Sequence, residues 1–200
     1  MLNLTKGQKL NLTKDTGLTK AVVGLGWKLT AAGLRETVPV DCDAMAFMCV
    51  NTSGKPVCPR EDYFCFFDPS HRSTIDGAVA LSGDDRDGGD GVNPDEVINI
   101  DFDKVSKLAP EVTEISILVN IYEGITRKHN FGLLETAFLR ISKPSGEVIC
   151  NYKLDADFAA ATSVQIGSFV KDASGHWVFE AVGVGFTKTL GEIVEVYGLS

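Results

Sequence analysis

Residues 114–122 read EISILVNIY, an apolar run rich in β-branched residues of the kind that forms buried strands. Similar short runs recur along the chain and are separated by clusters of Gly, Pro, Asp and Ser. Together they predict the strands Lys20–Lys28, Cys42–Asn51, Tyr63–Phe67, Val97–Phe102, Glu114–Tyr122, Thr136–Ser142, Glu147–Leu154, Ser163–Lys171 and Trp177–Val182. Because helical periodicity is scarce, the chain is predicted to be mainly β and folded as a two-sheet sandwich.

A few short elements complete the predicted fold. The pentapeptide LNLTK occurs at Leu2–Lys6 and again at Leu10–Lys14, which predicts two short strands joined by a turn at Gly7. A helix is predicted from about Leu190 to Tyr197, because apolar residues recur there with helical spacing. No change in composition divides the chain, so residues 1–200 are predicted to form a single domain.

Charge and hydropathy patterning exclude two classes of partner. The 200 residues carry a net charge of −8 and a pI near 4.9, so the phosphates of a nucleic acid would be repelled. No stretch approaches the roughly 18 apolar residues of a membrane helix, so membrane insertion is not predicted. The N-terminus, MLNLTKGQKLNLTK, lacks the apolar centre of a secretory signal, which predicts a cytoplasmic location.

The cysteines, glycines and common catalytic motifs do not predict an enzyme. The five cysteines include no C-x-x-C pair, which argues against a disulfide framework or a zinc site, so reduced and buried thiols are expected. The motifs G-x-S-x-G, G-x-x-x-x-G-K-[ST] and H-E-x-x-H are absent from the sequence. Gly24–Gly26 and Gly183–Gly185 lack the third glycine of a dinucleotide site and indicate bends or close packing in strands.

The acidic stretch Gly83–Glu96, GDDRDGGDGVNPDE, holds most of the net negative charge of the chain. Its oxygen-bearing side chains and its glycines suit a hard cation, and calcium better than zinc, because calcium takes six to eight oxygen ligands. The EF-hand pattern fits no register of this stretch, so a site here has to draw on distant parts of the fold. A solvated acidic loop is the alternative interpretation.

Further carboxylates come from two predicted strands. Asp41 and Asp43 flank Cys42 at the start of a strand, and the two-residue period places both on one face. They would repel one another unless a cation joined them, and calcium shared with the acidic loop would remove that repulsion. Two solvent-facing aspartates are the alternative. Glu123, which follows another strand, is a further candidate ligand.

Three functions from different classes remain open on the residues alone. The first is a calcium-binding protein without enzymatic activity, and the second is a metal-independent module that docks partner proteins and uses the acidic loop for solubility. The third is a small hydrolase, because paired carboxylates can cleave glycosidic bonds. These three predict, respectively, calcium-dependent stability, no dependence on metal, and turnover of substrate.

Several motifs resemble the tellurite-resistance TerD family of bacterial stress proteins. In chain order they are Leu4–Gly7, Val23–Trp27, Val40–Ala44, Ser82–Arg86, Asn130–Gly132, Ala137–Arg140, Ala181–Gly183 and Tyr197–Gly198. The resemblance covers essentially the whole chain. It implies a β-sandwich that binds calcium through acidic loops, acts in the cytoplasm under tellurite or related stress, and has other stress or tellurite-resistance proteins as partners.

The resemblance also implies a set of metal-site residues. The D-x-D pair of the family falls on Asp41 and Asp43, and its final acidic element falls on Asp95 and Glu96, which Val92–Pro94 separate here from the preceding G-D-G. With the residues taken from the acidic stretch, the full predicted set is Asp41, Asp43, Asp84, Asp85, Arg86, Asp87, Gly89, Asp90, Asp95, Glu96 and Glu123.

Overall fold

A computed structural model of the chain describes residues 2–51, 53–83, 86, 88–154 and 156–198. Most of these residues lie in strands or in the turns that join them. The strands are β1 (Leu2–Leu4), β2 (Lys9–Asn11), β3 (Lys20–Leu29), β4 (Cys42–Asn51), β5 (Pro56–Val57), β6 (Phe64–Cys65), β7 (Val79–Leu81), β8 (Glu96–Asp101), β9 (Glu114–Ile121), β10 (Leu134–Ser142), β11 (Val148–Lys153), β12 (Ser163–Lys171) and β13 (Trp177–Phe186).

The strands form two sheets, which confirms the predicted mainly β sandwich. The six-stranded sheet has the order β1-β11-β10-β3-β8-β7, and the seven-stranded sheet has the order β2-β13-β12-β9-β4-β5, with β6 paired to β4. All pairings are antiparallel except that of β1 with β11. Apolar side chains of both sheets form one buried core. Every residue of β9 is buried, which explains the nearly continuous apolar run at 114–122.

Four short α-helices connect or cover the sheets in the described part of the chain. They are α1 (Leu12–Thr16), α2 (Phe102–Leu108), α3 (Gly124–Arg127) and α4 (Leu190–Val196). The predicted C-terminal helix is α4, which begins at a capping box formed by Thr189 and Glu192. Ile193 of α4 is buried, and the ring of Tyr197, which follows the helix, packs edge-on against Phe47 of β4. The helix therefore covers part of the seven-stranded sheet.

The predicted strands agree with the observed ones wherever the apolar pattern is long. The bounds of β4 and β12 match the prediction residue for residue. The strand predicted at Tyr63–Phe67 was mostly wrong, because a single 3-10 turn occupies Glu61–Tyr63 and only Phe64–Cys65 pair with β4. Five apolar residues in a row suit a buried irregular segment as well as a strand.

The second LNLTK repeat differs from the prediction. Its strand ends at Asn11, whose side-chain Oδ1 accepts a hydrogen bond from the backbone N–H of Lys14 and so begins α1. The two short strands are joined by a turn at Gly7, which has a φ of 82°, but β1 and β2 belong to different sheets. The repeat therefore carries the chain from one layer of the sandwich to the other.

Among the described residues, no helix combines the length and the apolar character needed to cross a membrane.

Candidate metal centre

Asp41 and Asp43 lie where the chain enters β4, and both are buried. Asp41 is 8% exposed and Asp43 is 2% exposed. Asp43 is paired in register with Asn120 of β9, whose Oδ1 accepts a hydrogen bond from the hydroxyl of Ser163 at 2.7 Å. Antiparallel partners project from the same face of a sheet, so Asp43 extends a buried polar row across three strands. The alternative of two solvent-facing aspartates is therefore wrong.

Glu96 connects the two sheets at this point. It is the first residue of β8 in the six-stranded sheet and is completely buried. Its Oε2 accepts a hydrogen bond from the backbone N–H of Ala44 in the seven-stranded sheet, at 2.6 Å. A charge-assisted bond of this kind is short and strong, so Glu96 holds the start of β4 against the end of the acidic loop.

Asp95 fixes the same end of the loop to β3. Its Oδ2 accepts a hydrogen bond from the backbone N–H of Trp27 at 2.8 Å, and its own N–H donates to the carbonyl oxygen of Leu25 at 2.7 Å. Gly89 approaches so closely that a methyl group there would collide with Oδ1 of Asp95. The neighbouring residues Asp95 and Glu96 thus bind to different sheets.

The thiol of Cys42 lies in the electric field of four carboxylates. Burial, reinforced by the negative charges of Asp43, Asp41, Glu96 and Asp95, raises the pKa of the Cys42 thiol well above its ordinary value. The thiol is therefore held in its protonated form. Carboxylates contributed by β4 and by the end of the loop converge on the same part of the core edge.

A cavity of about 510 Å³ opens beside these carboxylates. Its polar lining includes Asp41, Asp43, Arg86 and Arg127, and its apolar lining includes Tyr122. Arg86 belongs to the acidic stretch, so the loop reaches the two aspartates of β4 at this cavity. Segments that are far apart in the sequence therefore meet at this cavity.

The glycines of β3 determine where the loop lies. A methyl group on Gly24 would lie 2.6 Å from Cβ of Pro94, and one on Gly26 would lie 2.7 Å from the carbonyl oxygen of Asn93 and collide with the ring of Phe138. The interpretation of this glycine pair as close packing is confirmed. The segment Val92–Pro94 packs directly against the glycine backbone of β3, and this contact holds Asp95 and Glu96 in place.

Gly26→Ala is accordingly expected to destabilise the protein by about 1–3 kcal/mol, because the methyl group overpacks the contact between β3 and the loop. Urea unfolding measures the loss, and hydrogen exchange of the Trp27 amide reports whether its bond to Asp95 loosens. The matched control is Gly191→Ala in α4, where a methyl group meets nothing within 4 Å and helix propensity favours alanine. Equal stability of both variants would contradict the close-packing role of Gly26.

A family model described as the TerD domain matches residues 1–197 of this chain. The chain belongs to the TerD domain family. General stress protein 16U of Bacillus subtilis is 32% identical over 200 residues, covering 99% of this chain and 97% of that protein. Tellurium resistance protein TerD of Serratia marcescens is 31% identical over 201 residues, covering 100% and 98%.

A solved structure has the same fold. The crystal structure of a homologue of telluride resistance protein (TerD) from Streptomyces coelicolor A3(2) superposes with a TM-score of 0.65. It is 20% identical and covers 89% of this chain and 96% of that one. At this identity the likeness concerns the TerD fold alone, and the site has to be judged from the residues of this chain.

The TerD site residues predicted from the sequence fall into three groups. Asp41, Asp43, Asp95 and Glu96 converge, and Arg86 lines the cavity beside them. A guanidinium has no acceptor atom, so Arg86 can balance charge there but cannot ligate a metal. Asp84, Asp85 and Asp87 lie outside the described residues. Among the residues that the structure does describe, no three His, Cys, Asp or Glu side chains meet closely enough to hold a metal ion by themselves.

Asp90, Gly89 and Glu123 have local roles in this structure. Oδ1 of Asp90 accepts hydrogen bonds from the backbone N–H groups of Asn93 and Val92, which lowers the pKa of its carboxyl and organises the loop turn. Gly89 provides room for Asp95. Oε2 of Glu123 accepts from Arg127, with Nε at 2.8 Å and Nη2 at 2.7 Å. All three stay predictions as metal-site residues.

The sequence interpretation overlooked two residues of this TerD centre. Asn120 interrupts the apolar run of β9 with a buried amide beside Asp43, and this polar residue inside EISILVNIY was a visible signal. Arg127 lines the cavity and its guanidinium lies 4.8 Å from the ring centroid of Tyr122. Only the unpredicted helix α3 brings Arg127 to that position, so the sequence pattern offered no signal for it.

Proposed function

We propose that this TerD-family chain is a calcium-binding stress-response protein without enzymatic activity, in which the ion fastens the acidic loop to the start of β4. The ion acts as a structural clip between segments that are far apart in sequence. The protein works in the cytoplasm and meets other stress or resistance proteins there.

The observation that carries the proposal is the burial of several carboxylates at one place. Asp41, Asp43 and Glu96 are each less than one-tenth exposed, and Asp95 adds a fourth charge to the same field. Bringing several negative charges together in a weakly polar environment is costly unless a cation joins them. Arg86 supplies a positive charge at the cavity, and Arg127, which also lines it, is paired with Glu123. The four carboxylates therefore leave the cluster negative, and a divalent cation would balance it.

The chemistry of the donors fits calcium. The converging groups are carboxylates, which are hard oxygen ligands, and the neighbouring Cys42 stays a protonated thiol rather than a soft thiolate ligand. Because no three of the described side chains meet closely enough to hold an ion by themselves, Asp41 and Asp43 would share it with ligands from the acidic loop, including the carboxylates that flank Arg86 in the sequence. The bound ion supplies electrostatic attraction between oxygen ligands and no reaction chemistry.

The hydrogen bonds of the site favour a structural role over hydrolysis. Glu96 is bonded to the backbone of β4 and Asp95 to the backbone of β3. A carboxylate pair of a glycosidase has to face a substrate with one acid and one base free to exchange protons. Here the carboxylates join pieces of backbone, which is the arrangement expected of a clip.

The names of the relatives support the biological setting. One relative is called a general stress protein and another a tellurium resistance protein, and both align along nearly the full length of this chain. We propose the same setting here, with calcium-dependent folding of the loop as the physical contribution of the protein.

Titration calorimetry of the chelator-stripped chain tests the proposal. Calcium is expected to bind with micromolar affinity or tighter and to raise the unfolding temperature, because an ion that binds only the folded state stabilises it. Magnesium is expected to give little heat and little change in unfolding temperature, since it demands a small octahedral site and keeps its water. Absence of both heat and a thermal shift with calcium would contradict the proposal and would favour the metal-independent docking module.

A further inference from the structure

Two of the five cysteines lie on neighbouring segments, Cys49 in β4 and Cys58 directly after β5. The register of β4 with β5 pairs Val50 with Val57 and Asn51 with Pro56. One step further along the same register places Cys49 opposite Cys58. Opposite residues of antiparallel strands project to the same face of the sheet, so both thiols point the same way.

The backbone hydrogen bonds show that this is the closer kind of cross-strand position. The carbonyl oxygen of Cys49 accepts from Thr113 on the β9 side, at 3.0 Å, and the N–H of Cys58 donates to Tyr197 on the other side, at 2.6 Å. The two residues thus direct these groups away from each other, as in a non-hydrogen-bonded pair. The Cα atoms of such pairs are about 4.5 Å apart, which falls inside the roughly 4.4–6.8 Å range of disulfides.

Each thiol donates to a nearby backbone carbonyl oxygen, Cys49 to Phe47 at 3.4 Å and Cys58 to Arg60 at 3.5 Å. Both cysteines are completely buried and free. Burial raises the pKa of the Cys49 thiol, and the hydrogen bond and the charge of Cys58 add to this effect. The closed structure therefore keeps Cys49 protonated and unreactive.

We propose that Cys49 and Cys58 are a redox-sensitive pair that hydrogen peroxide oxidises to a disulfide, which fastens β5 to β4 and which a thiol reductant reduces again. Neither the family membership nor the calcium clip assigns a role to these thiols. The proposal is independent of metal binding, because the pair lies at the far end of β4 from Asp43.

The position of β5 explains how an oxidant reaches buried thiols. β5 is two residues long and forms the edge of its sheet, and its Val57 is 39% exposed. Short edge elements open at little cost in free energy, so local opening exposes the pair without unfolding the core. Opening also returns Cys49 to water, where its thiolate forms more readily.

The reaction balances with one peroxide for each pair. The thiolate of one cysteine attacks a peroxide oxygen and breaks the O–O bond, which gives a sulfenic acid and one water. The second thiol then attacks the sulfenic sulfur, forms the S–S bond and releases a second water. Two electrons pass from the two sulfurs to the peroxide, and both thiol protons end in the two water molecules.

The disulfide would also secure the C-terminal helix. Cys58 donates its N–H to the carbonyl oxygen of Tyr197, and a methyl group on Gly198 would lie 2.6 Å from Val57. β5 and the end of α4 therefore support each other. Joining Cys58 covalently to β4 is expected to slow local opening of both elements.

Peroxide treatment of the reduced full-length chain tests the pair. Non-reducing digestion and mass spectrometry are expected to find a peptide that joins Cys49 to Cys58, lighter by two hydrogens and released by dithiothreitol. Two of the five thiols should disappear. Hydrogen exchange of the Cys58 amide and of the end of α4 should slow in the oxidised form.

The controls separate this pair from general thiol oxidation. Cys49→Ser and Cys58→Ser are each expected to keep their remaining thiols, whereas Cys65→Ser, which removes another buried cysteine, should still lose two. Diamide, a second small oxidant, repeats the test without peroxide. The proposal is overturned if neither oxidant links the pair in the wild-type chain, or if the linked peptides contain other cysteines. The wild-type peptide map decides the matter even where a variant folds poorly.

Discussion

The Asp43→Asn variant is expected to lose most of the stability that calcium gives to this protein. A wild-type chain at a calcium concentration of 100 times Kd gains about 2.7 kcal/mol. If the loss of one buried ligand weakens calcium binding about 100-fold, which is the largest loss typical even of outer-shell partners of metal ligands, roughly 0.4 kcal/mol of that gain remains. Without calcium, the variant should be as stable as the wild type or more stable, because one negative charge leaves a crowded cluster.

Urea unfolding with calcium and with chelator measures both parts of this prediction. The matched control is Asp103→Asn, which removes an exposed carboxylate from α2, beyond the opposite end of β8 from Glu96. The control should keep the full calcium effect. A wild-type calcium effect in Asp43→Asn would show that the site had been assigned to the wrong residues.

Glu114→Ala is expected to cost about 3 kcal/mol or more in the free energy of unfolding. The carboxyl group of Glu114 is 4% exposed and sits at the centre of a buried network. It accepts hydrogen bonds from Ser116 at 3.1 Å, from Ser168 at 2.6 Å and from the amide of Asn51 at 2.7 Å. Removing the carboxylate leaves these three buried donors without their hydrogen-bond acceptor, and each unsatisfied buried donor lowers stability.

The same unfolding experiment at constant calcium measures the loss in Glu114→Ala. Its control is Glu147→Ala, which removes an exposed glutamate paired with Lys143 at 2.9 Å. Exposed ion pairs contribute little, so the control should change stability by less than about 0.5 kcal/mol. A loss of under about 1 kcal/mol in Glu114→Ala would show that the network is not needed to stabilise β9 between β4 and β12.

The strands were predictable because their signal is local. β4, β9 and β12 are long runs of apolar and β-branched residues, and the structure places them side by side at the centre of one sheet. Short elements were less predictable. Asn11 ends β2 by capping a helix, and the choice between a strand and a helical turn there depends on one side-chain hydrogen bond.

The residues of the candidate metal centre could be proposed from the sequence, whereas their contacts could be predicted only in part. The two-residue period predicted that Asp41 and Asp43 lie close together, and both line one cavity. The acidic stretch supplied Asp95 and Glu96 as candidate residues, and all four stay predictions as metal ligands. The role of Asp90 in its own turn and the pairing of Glu123 with Arg127 could not be read from the sequence. These partners come from turn geometry and from α3, neither of which the apolar pattern describes.

The sequence by itself determined the strands, the acidity of the loop and the absence of common catalytic motifs, because each of these depends on residues close together in the chain. The tertiary structure alone decided which residues meet. Glu96 reaches Ala44 across 52 positions of sequence, and the pairing of β4 with β5 brings the segments that carry Cys49 and Cys58 side by side. Pairing and burial of this kind depend on long-range packing, whose free energy is shared among many contacts and leaves little trace in any one segment.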